Sequence, residues 1–252
     1  MNSQLIGGVG LSHLWVYHQR PGPDGVNGGC AHVHALSDEA YYCVSGKGAV
    51  ELHDLDRGFV RHPMQPGDYL QFPPATLHRS ISYQECEFLV VMGNGGLPEQ
   101  GDARIYFGPE VDAAPEVYLQ LKDLSSSGLE GALARRDASA LAYQRLLELW
   151  TRDRPAYRAE LSRFIGLHRR ELADRRTDFE GLILGGVGAV LKNALARVRA
   201  LPTAVGSTSE PAAALASPAR VYGMCGVLRQ VTLAANSVPL VGSQDASGRR
   251  GR

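Results

Sequence analysis

Residues Cys30–Gly46 read CAHVHALSDEAYYCVSG. Two histidines stand one residue apart at 32 and 34, an acid follows at Glu39, and an aromatic, strand-like run stops at Gly46. In an extended strand alternate side chains share a face, so His32 and His34 point the same way, about 7 Å apart along the strand. The turn-forming ALSD between them and Glu39 lets the chain reverse and return a carboxylate to that face. A second segment, PGDYLQFPPATLHRSIS (66–82), ends one strand at Pro73 and Pro74 and begins another at His78. Three neutral imidazoles and one carboxylate suit one borderline divalent transition metal such as Fe, Mn, Ni, Co or Zn. An octahedral ion held by His32, His34, Glu39 and His78 keeps two positions for water, substrate or O₂.

The text around these residues is strand-like up to about residue 110. HLWVYHQ (13–19), EAYYCVSG (39–46), GAVELHD (48–54), DYLQF (68–72), HRSISY (78–83) and EFLVVM (87–92) are short and rich in aromatic and β-branched residues. Gly, Pro, Asn and Asp punctuate them, which predicts an antiparallel sandwich or barrel. Beyond about residue 128 the apolar period becomes helical. One helix is expected over Ala132–Trp150. The next opens on Asp153 as N-cap with Pro155 in its first turn, and buries Tyr157, Leu161, Phe164, Ile165, His168 and Leu172. A third is expected from Thr177, with TDFE as a capping box, to Leu201. The expected organisation is a β-barrel over 1–109, a connector over 110–128, a three-helix extension over 129–201, and an Ala/Pro/Ser-rich linker with a disordered tail over 202–252.

Composition narrows the class. The 252 residues are 44% hydrophobic and 21% charged with zero formal net charge, as in an ordinary globular protein. No basic excess points to nucleic acid. The first residues lack a charged, then apolar, leader pattern. The longest apolar run, GLILGGVGAVL (181–191), is too short to span a bilayer and carries four glycines. Cys30, Cys43, Cys86 and Cys225 show no metal-ribbon or secreted-framework spacing, so free thiols and a cytoplasmic setting are expected.

The segment GVNGGCAHVHALSDEAYYCVSG (25–46) resembles the first motif of the cupin superfamily, a glycine, then HxH, Glu and a closing Gly, with His32, His34, Glu39 and Gly46 in step. Residues 67–82 resemble the second motif at Gly67, Pro73 and His78, while Ala75 stands where the family usually has glycine and Ser82 where it has asparagine. The resemblance covers roughly residues 10–97. It implies an all-β jelly-roll, the double-stranded β-helix barrel, with the metal inside and an α-helical C-terminal extension outside its scope. It also implies a homodimer.

Other residues carry weaker expectations. Cys30, Tyr41 and Cys43 share the inward parity of the ligands and read first as core. Ser80 and Ser82 share a face with His78. Tyr69 and Gln71 share another such face. His53 and His62, with Arg61, Arg79 and Arg104, are expected at the solvated surface, and His168 in helix packing. GGVG (185–188) lacks the strand before and the Lys-Ser/Thr after that a phosphate loop needs. The expected activity is that of a metalloenzyme on a small polar organic substrate. With iron, the first choice among the metals, two open positions favour a dioxygenase. The alternative is a metal-dependent sugar or carbonyl isomerase, epimerase or lyase, in which Tyr41, Tyr69 or His18 supplies the acid–base group. The third reading is a non-catalytic barrel that binds a small ligand. A DNA-reading role is not expected, because acids interleave the arginines of LHRRELADRR (167–176).

Overall fold

The structure, a computed structural model, describes residues 5–94, 96–201 and 220–231. Seven strands precede the helices: β1 (Gly10–Val16), β2 (His32–His34), β3 (Glu39–Asp54), β4 (Gly58–Met64), β5 (Tyr69–Phe72), β6 (Leu77–Met92) and β7 (Ala103–Ile105). All their pairings are antiparallel. Four of the expected short strands are in fact halves of two: residues 39–46 and 48–54 belong to β3, and residues 78–83 and 87–92 to β6. The first half of β3 pairs with the second half of β6 and with β5; its second half pairs with the first half of β6 and with β4. Register shifts between Cys43 and Gly48 bend the pair, so that one strand serves both layers of a jelly-roll.

Gly46 makes that bend possible. Its φ is +75°, and a Cβ there would lie 2.1 Å from the carbonyl oxygen of Gln84. Ala75 also stands in the left-handed region, at φ 62°, while its N–H bonds the His34 carbonyl at 2.7 Å. This is the physical reason a glycine would be easier at that position.

The helical half is longer than expected. Two short helices, α1 (Pro109–Asp112) and α2 (Pro115–Asp123), occupy the connector. They lead into α3 (Gly128–Arg152) and α4 (Arg154–Leu172). Asp153 caps α4 by accepting the Ala156 N–H at 2.9 Å. The capping box at Thr177 does not form: the chain is already helical through Ala173–Arg175 when it enters α5 (Arg176–Ile183). A π turn at Leu184–Gly188, over the glycine-rich LGGVG, then joins α5 to α6 (Ala189–Ala200). By length and composition alone, the continuous run Arg154–Ala200 is long and apolar enough to cross a membrane.

Helices and barrel share a core. Ala31, Val33, Leu77 and Tyr106 from the β side pack with Ala142, Tyr143, Leu146, Tyr157, Leu161, Phe164 and Ile165 from α3 and α4. β2 is therefore covered on both faces: its histidines look into the barrel and Val33 looks at the helices.

The last described segment corrects the expected linker and tail. Residues 220–231 form a hairpin of β8 (Arg220–Tyr222) and β9 (Gly226–Gln230), and β9 pairs with β1 from Ser12↔Gln230 to Val16↔Gly226. The remainder of that expectation, residues 202–219 and 232–252, lies outside the described residues.

Candidate metal centre

β2 delivers His32 and His34, the start of β3 delivers Glu39, and the start of β6 delivers His78 directly across from His32. All four are buried, and one donor atom from each lies within 4.8 Å of every other. The four ligands predicted from the two motifs thus meet at one point.

Hydrogen bonds decide which nitrogen each histidine offers. His32 Nδ1 lies 3.1 Å from the Cys30 carbonyl and His78 Nδ1 lies 3.0 Å from the Thr76 carbonyl. A carbonyl oxygen only accepts, so both Nδ1 atoms carry a proton, and in the neutral ring both Nε2 atoms present a lone pair. His34 turns Nδ1 toward Asp102 Oδ2 at 3.4 Å and Nε2 toward Glu39 Oε2 at 3.4 Å. Glu39 Oε2 and His78 Nε2 approach to 2.9 Å, yet both are buried with no hydrogen-bond partner. A lone pair facing a carboxylate oxygen at that distance repels unless a cation stands between them. The residues therefore fit a divalent ion through three Nε2 atoms and one carboxylate oxygen.

The electrostatics differ between the ligands. Burial, then its two histidine neighbours, holds His32 well below the usual histidine range, which keeps it neutral as a ligand must be. Burial opposes the Glu39 charge, but the facing His78, His34 and His32 outweigh it and hold Glu39 well below the usual carboxylate range. Burial likewise opposes protonation of His34, and the Asp102 and Glu39 carboxylates raise it in spite of that.

Asp102 was not legible as a site residue. It lies between β6 and β7, fully buried, and accepts the backbone N–H groups of Leu36 at 2.7 Å and Ser37 at 3.2 Å. It thereby shapes the ALSD turn and orients His34 together. Its own carbonyl accepts from His168 Nε2 of α4 at 2.6 Å. His168 is thus a packing residue that also braces the loop behind the site. No periodicity marks an isolated acid in a loop.

Of the three acid–base candidates, Tyr41 reaches the site and Tyr69 does not; His18 lies half-buried just past β1, its Nδ1 3.1 Å from the Val16 carbonyl. Tyr41 is buried, and burial and the nearby Cys225 and Glu39 push its hydroxyl well above its ordinary range. Tyr69 is 59% exposed and its hydroxyl donates to Gln71. The reason is register: Tyr69 pairs with the exposed Tyr42, whereas Leu70 and Phe72 take the inner face. Phe72 lies against His78 with ring centroids 4.7 Å apart. Cys43 and Tyr41 join the barrel core, while Cys30 packs on the other side with Ile105, Phe107 and Tyr118. Ser80 and Ser82 are buried, and Ser82 Oγ accepts the Cys86 N–H, doing the supporting work at its motif position.

Three residues expected at the solvated surface are interior. His53 is 0% exposed and sits between the hydroxyls of Tyr157 and Tyr143 at 2.8 and 2.7 Å. Arg79 bonds the Asp24 carboxylate and the Gly29 carbonyl, and Arg104 pairs with Asp112 and Glu171. Nothing within their own strands marks these side chains as interior, because the groups that cover and pair with them come from other segments of the chain. Arg61, paired with Glu51, keeps its solvated edge.

A jelly-roll with a three-histidine, one-glutamate cluster at its centre is a metal-site β-barrel of the double-stranded β-helix kind. Residues 17–92 match the family model for the cupin domain, and this part of the chain is a cupin domain. Similar solved structures include the capsular polysaccharide assembling protein CapF from Staphylococcus aureus, at 18% identity and a TM-score of 0.25 over 34% of this chain and 22% of that one. The Streptomyces nucleoside dehydratase Pac13 gives 20%, 0.30, 41% and 72% for the same measures. The TDP-fucose-3,4-ketoisomerase WlaRA from Campylobacter jejuni gives 9%, 0.28, 33% and 58%. The chain spans less than two thirds of CapF and of WlaRA, and these likenesses carry no activity over to it. A search of curated proteins finds no match.

Proposed function

We propose that this protein is a metal-dependent enzyme of the dioxygenase type, acting on a small organic substrate at the barrel centre. The observation that carries the reading is the orphaned pair Glu39 Oε2 and His78 Nε2, buried, without hydrogen-bond partners and facing each other beside two further imidazole donors. His32, His34, Glu39 and His78 would hold the ion, iron being first choice, which when bound supplies Lewis-acid or oxygen chemistry at its open positions. The chain's own part is to orient and to exclude water. Asp102 and two carbonyls set the imidazole directions, and Tyr41, Phe72, Phe88 and Cys225 wall the centre. The ionisable groups in contact with the donors offer little proton traffic: burial raises Tyr41 and Cys225, and Asp102 is occupied by two N–H groups. That shortage favours oxygen chemistry over reactions that need a free base.

The second reading is an isomerase, epimerase or lyase, with Tyr41 as the proton carrier; its placement beside Glu39 supports it. Elemental analysis of anaerobically prepared wild type beside His78→Ala tests both. Near-stoichiometric iron that disappears in the variant, with substrate-dependent oxygen consumption, is the expected result. Zinc, manganese or nickel at that level without oxygen uptake moves the assignment to the second reading. No metal after reconstitution leaves a non-catalytic ligand-binding barrel.

A further inference from the structure

The hairpin β8–β9 adds more than an edge strand. Its turn, Gly223-Met224-Cys225, enters the barrel wall beside β2. The Gly223 carbonyl accepts from Tyr17 Oη at 2.9 Å and from Arg135 of α3 at 2.7 Å, and the Met224 carbonyl accepts the Cys30 N–H at 2.8 Å. Two glycines let the turn seat this deeply. A Cβ on Gly29 would lie 2.5 Å from the Cys225 Cα, and one on Gly226 would lie 2.0 Å from the Trp15 carbonyl oxygen. The result is a thiol in the interior. Cys225 is buried in the barrel core, with Sγ 3.6 Å from His32 Nε2 and 3.7 Å from Tyr41 Oη.

That nitrogen is the one His32 offers to an ion, since Nδ1 is held by Cys30. Two donors on one first-row ion, with bonds of about 2.0–2.3 Å at tetrahedral or right angles, stand roughly 3.1–3.6 Å apart. The Sγ–Nε2 separation falls in that range. The second, independent sign is the unpartnered, buried Glu39 Oε2 and His78 Nε2 in the same space.

We propose that Cys225 is a further ligand to the ion at this centre, a thiolate carried in by the C-terminal hairpin. This rests on the metal reading above. The metal–sulfur bond forms as the S–H bond breaks; the proton leaves to water and no oxidation state changes. A thiolate softens the donor set toward iron, cobalt, nickel and zinc and away from magnesium and manganese. It also takes one of the two open positions, so substrate meets a single vacancy or displaces the sulfur.

Cobalt(II) loading of the full chain tests this without assaying activity. The expected spectrum has visible ligand-field bands and an intense near-ultraviolet sulfur-to-cobalt charge-transfer band. Cys225→Ser and Cys225→Ala should keep the visible bands, shifted, and lose the ultraviolet one. Cobalt bound at one equivalent without the ultraviolet band in wild type overturns the Cys225 assignment and leaves the four-ligand site standing. A band that survives in both variants assigns the sulfur to another cysteine and also overturns it. Wild type that binds no cobalt overturns the metal reading and this one together. Should both variants misfold by circular dichroism, the wild-type band decides: its absence refutes the proposal, and its presence with loss of Cys225 alkylation on loading supports it.

Discussion

At the residue scale, the candidate site is specified by where protons sit as much as by which side chains are present. Asp102 is the clearest case. It faces His34 Nδ1 and fixes the turn before Glu39, so Asp102→Asn should leave the fold intact and weaken metal binding about 10–100-fold, read by competition with a chromophoric chelator. His53 is a second case with a pH signature. Burial lowers it from 6.5 to about 3, so the folded chain holds it neutral between two tyrosine hydroxyls. Below pH 6.5 the unfolded chain takes up a proton that the folded chain refuses. The stability His53 contributes is full above that point and is lost as pH falls toward 3. Between about pH 7.5 and pH 5 the loss amounts to roughly 2 kcal/mol from this group. Urea midpoints of wild type should fall more steeply over that window than those of His53→Gln; equal slopes would remove His53 from the account.

At the scale of elements, close backbone approaches decide the architecture. Gly58 opens β4 at φ +79°, and a Cβ there would lie 2.1 Å from the Trp150 ring of α3. Gly58→Ala should therefore cost about 1–3 kcal/mol, since both the left-handed backbone and the ring must give. Thermal unfolding should show it, together with a change in Trp150 fluorescence. Gly46 and the paired bends of β3 and β6 were half legible. The sequence marks each bend as a strand boundary, because glycine and polar residues interrupt the apolar run. Only the ladder shows that the same strand continues into the other layer. The hairpin at 220–231 has a strand-turn-strand pattern in VYGMCGVLRQ, but nothing local tells which edge it will join.

At the scale of the molecule, the barrel and the helical extension share one packed apolar face beside the barrel's own interior. α3 and α4 cover Val33, Leu77 and His53, and α4 reaches the site through His168 and Asp102. Removing residues 129–252 should expose this apolar face and the His53 pocket, and should lower solubility and stability by several kcal/mol, on the order of the loss of two or three large core side chains. A truncated barrel that stays soluble and melts like the full chain would show the helices and the hairpin to be dispensable.

What the sequence by itself determined is the set whose signals are local. The HxH pair and Glu39 lie on one short stretch, and strand parity alone aims them together. His78 follows from the prolines that end β5 just before it. The N-cap at Asp153 and the buried stripe of α4 likewise depend on neighbours within a few residues. Tertiary structure decided the rest, because the groups concerned are far apart along the chain. Tyr69 turns outward only because β5 pairs in a particular register with β3. His53, Arg79 and Arg104 are interior only because later segments cover them. Asp102 and Cys225 reach the centre from a loop and from a distant hairpin, and no period or spacing links either one to the histidines they approach.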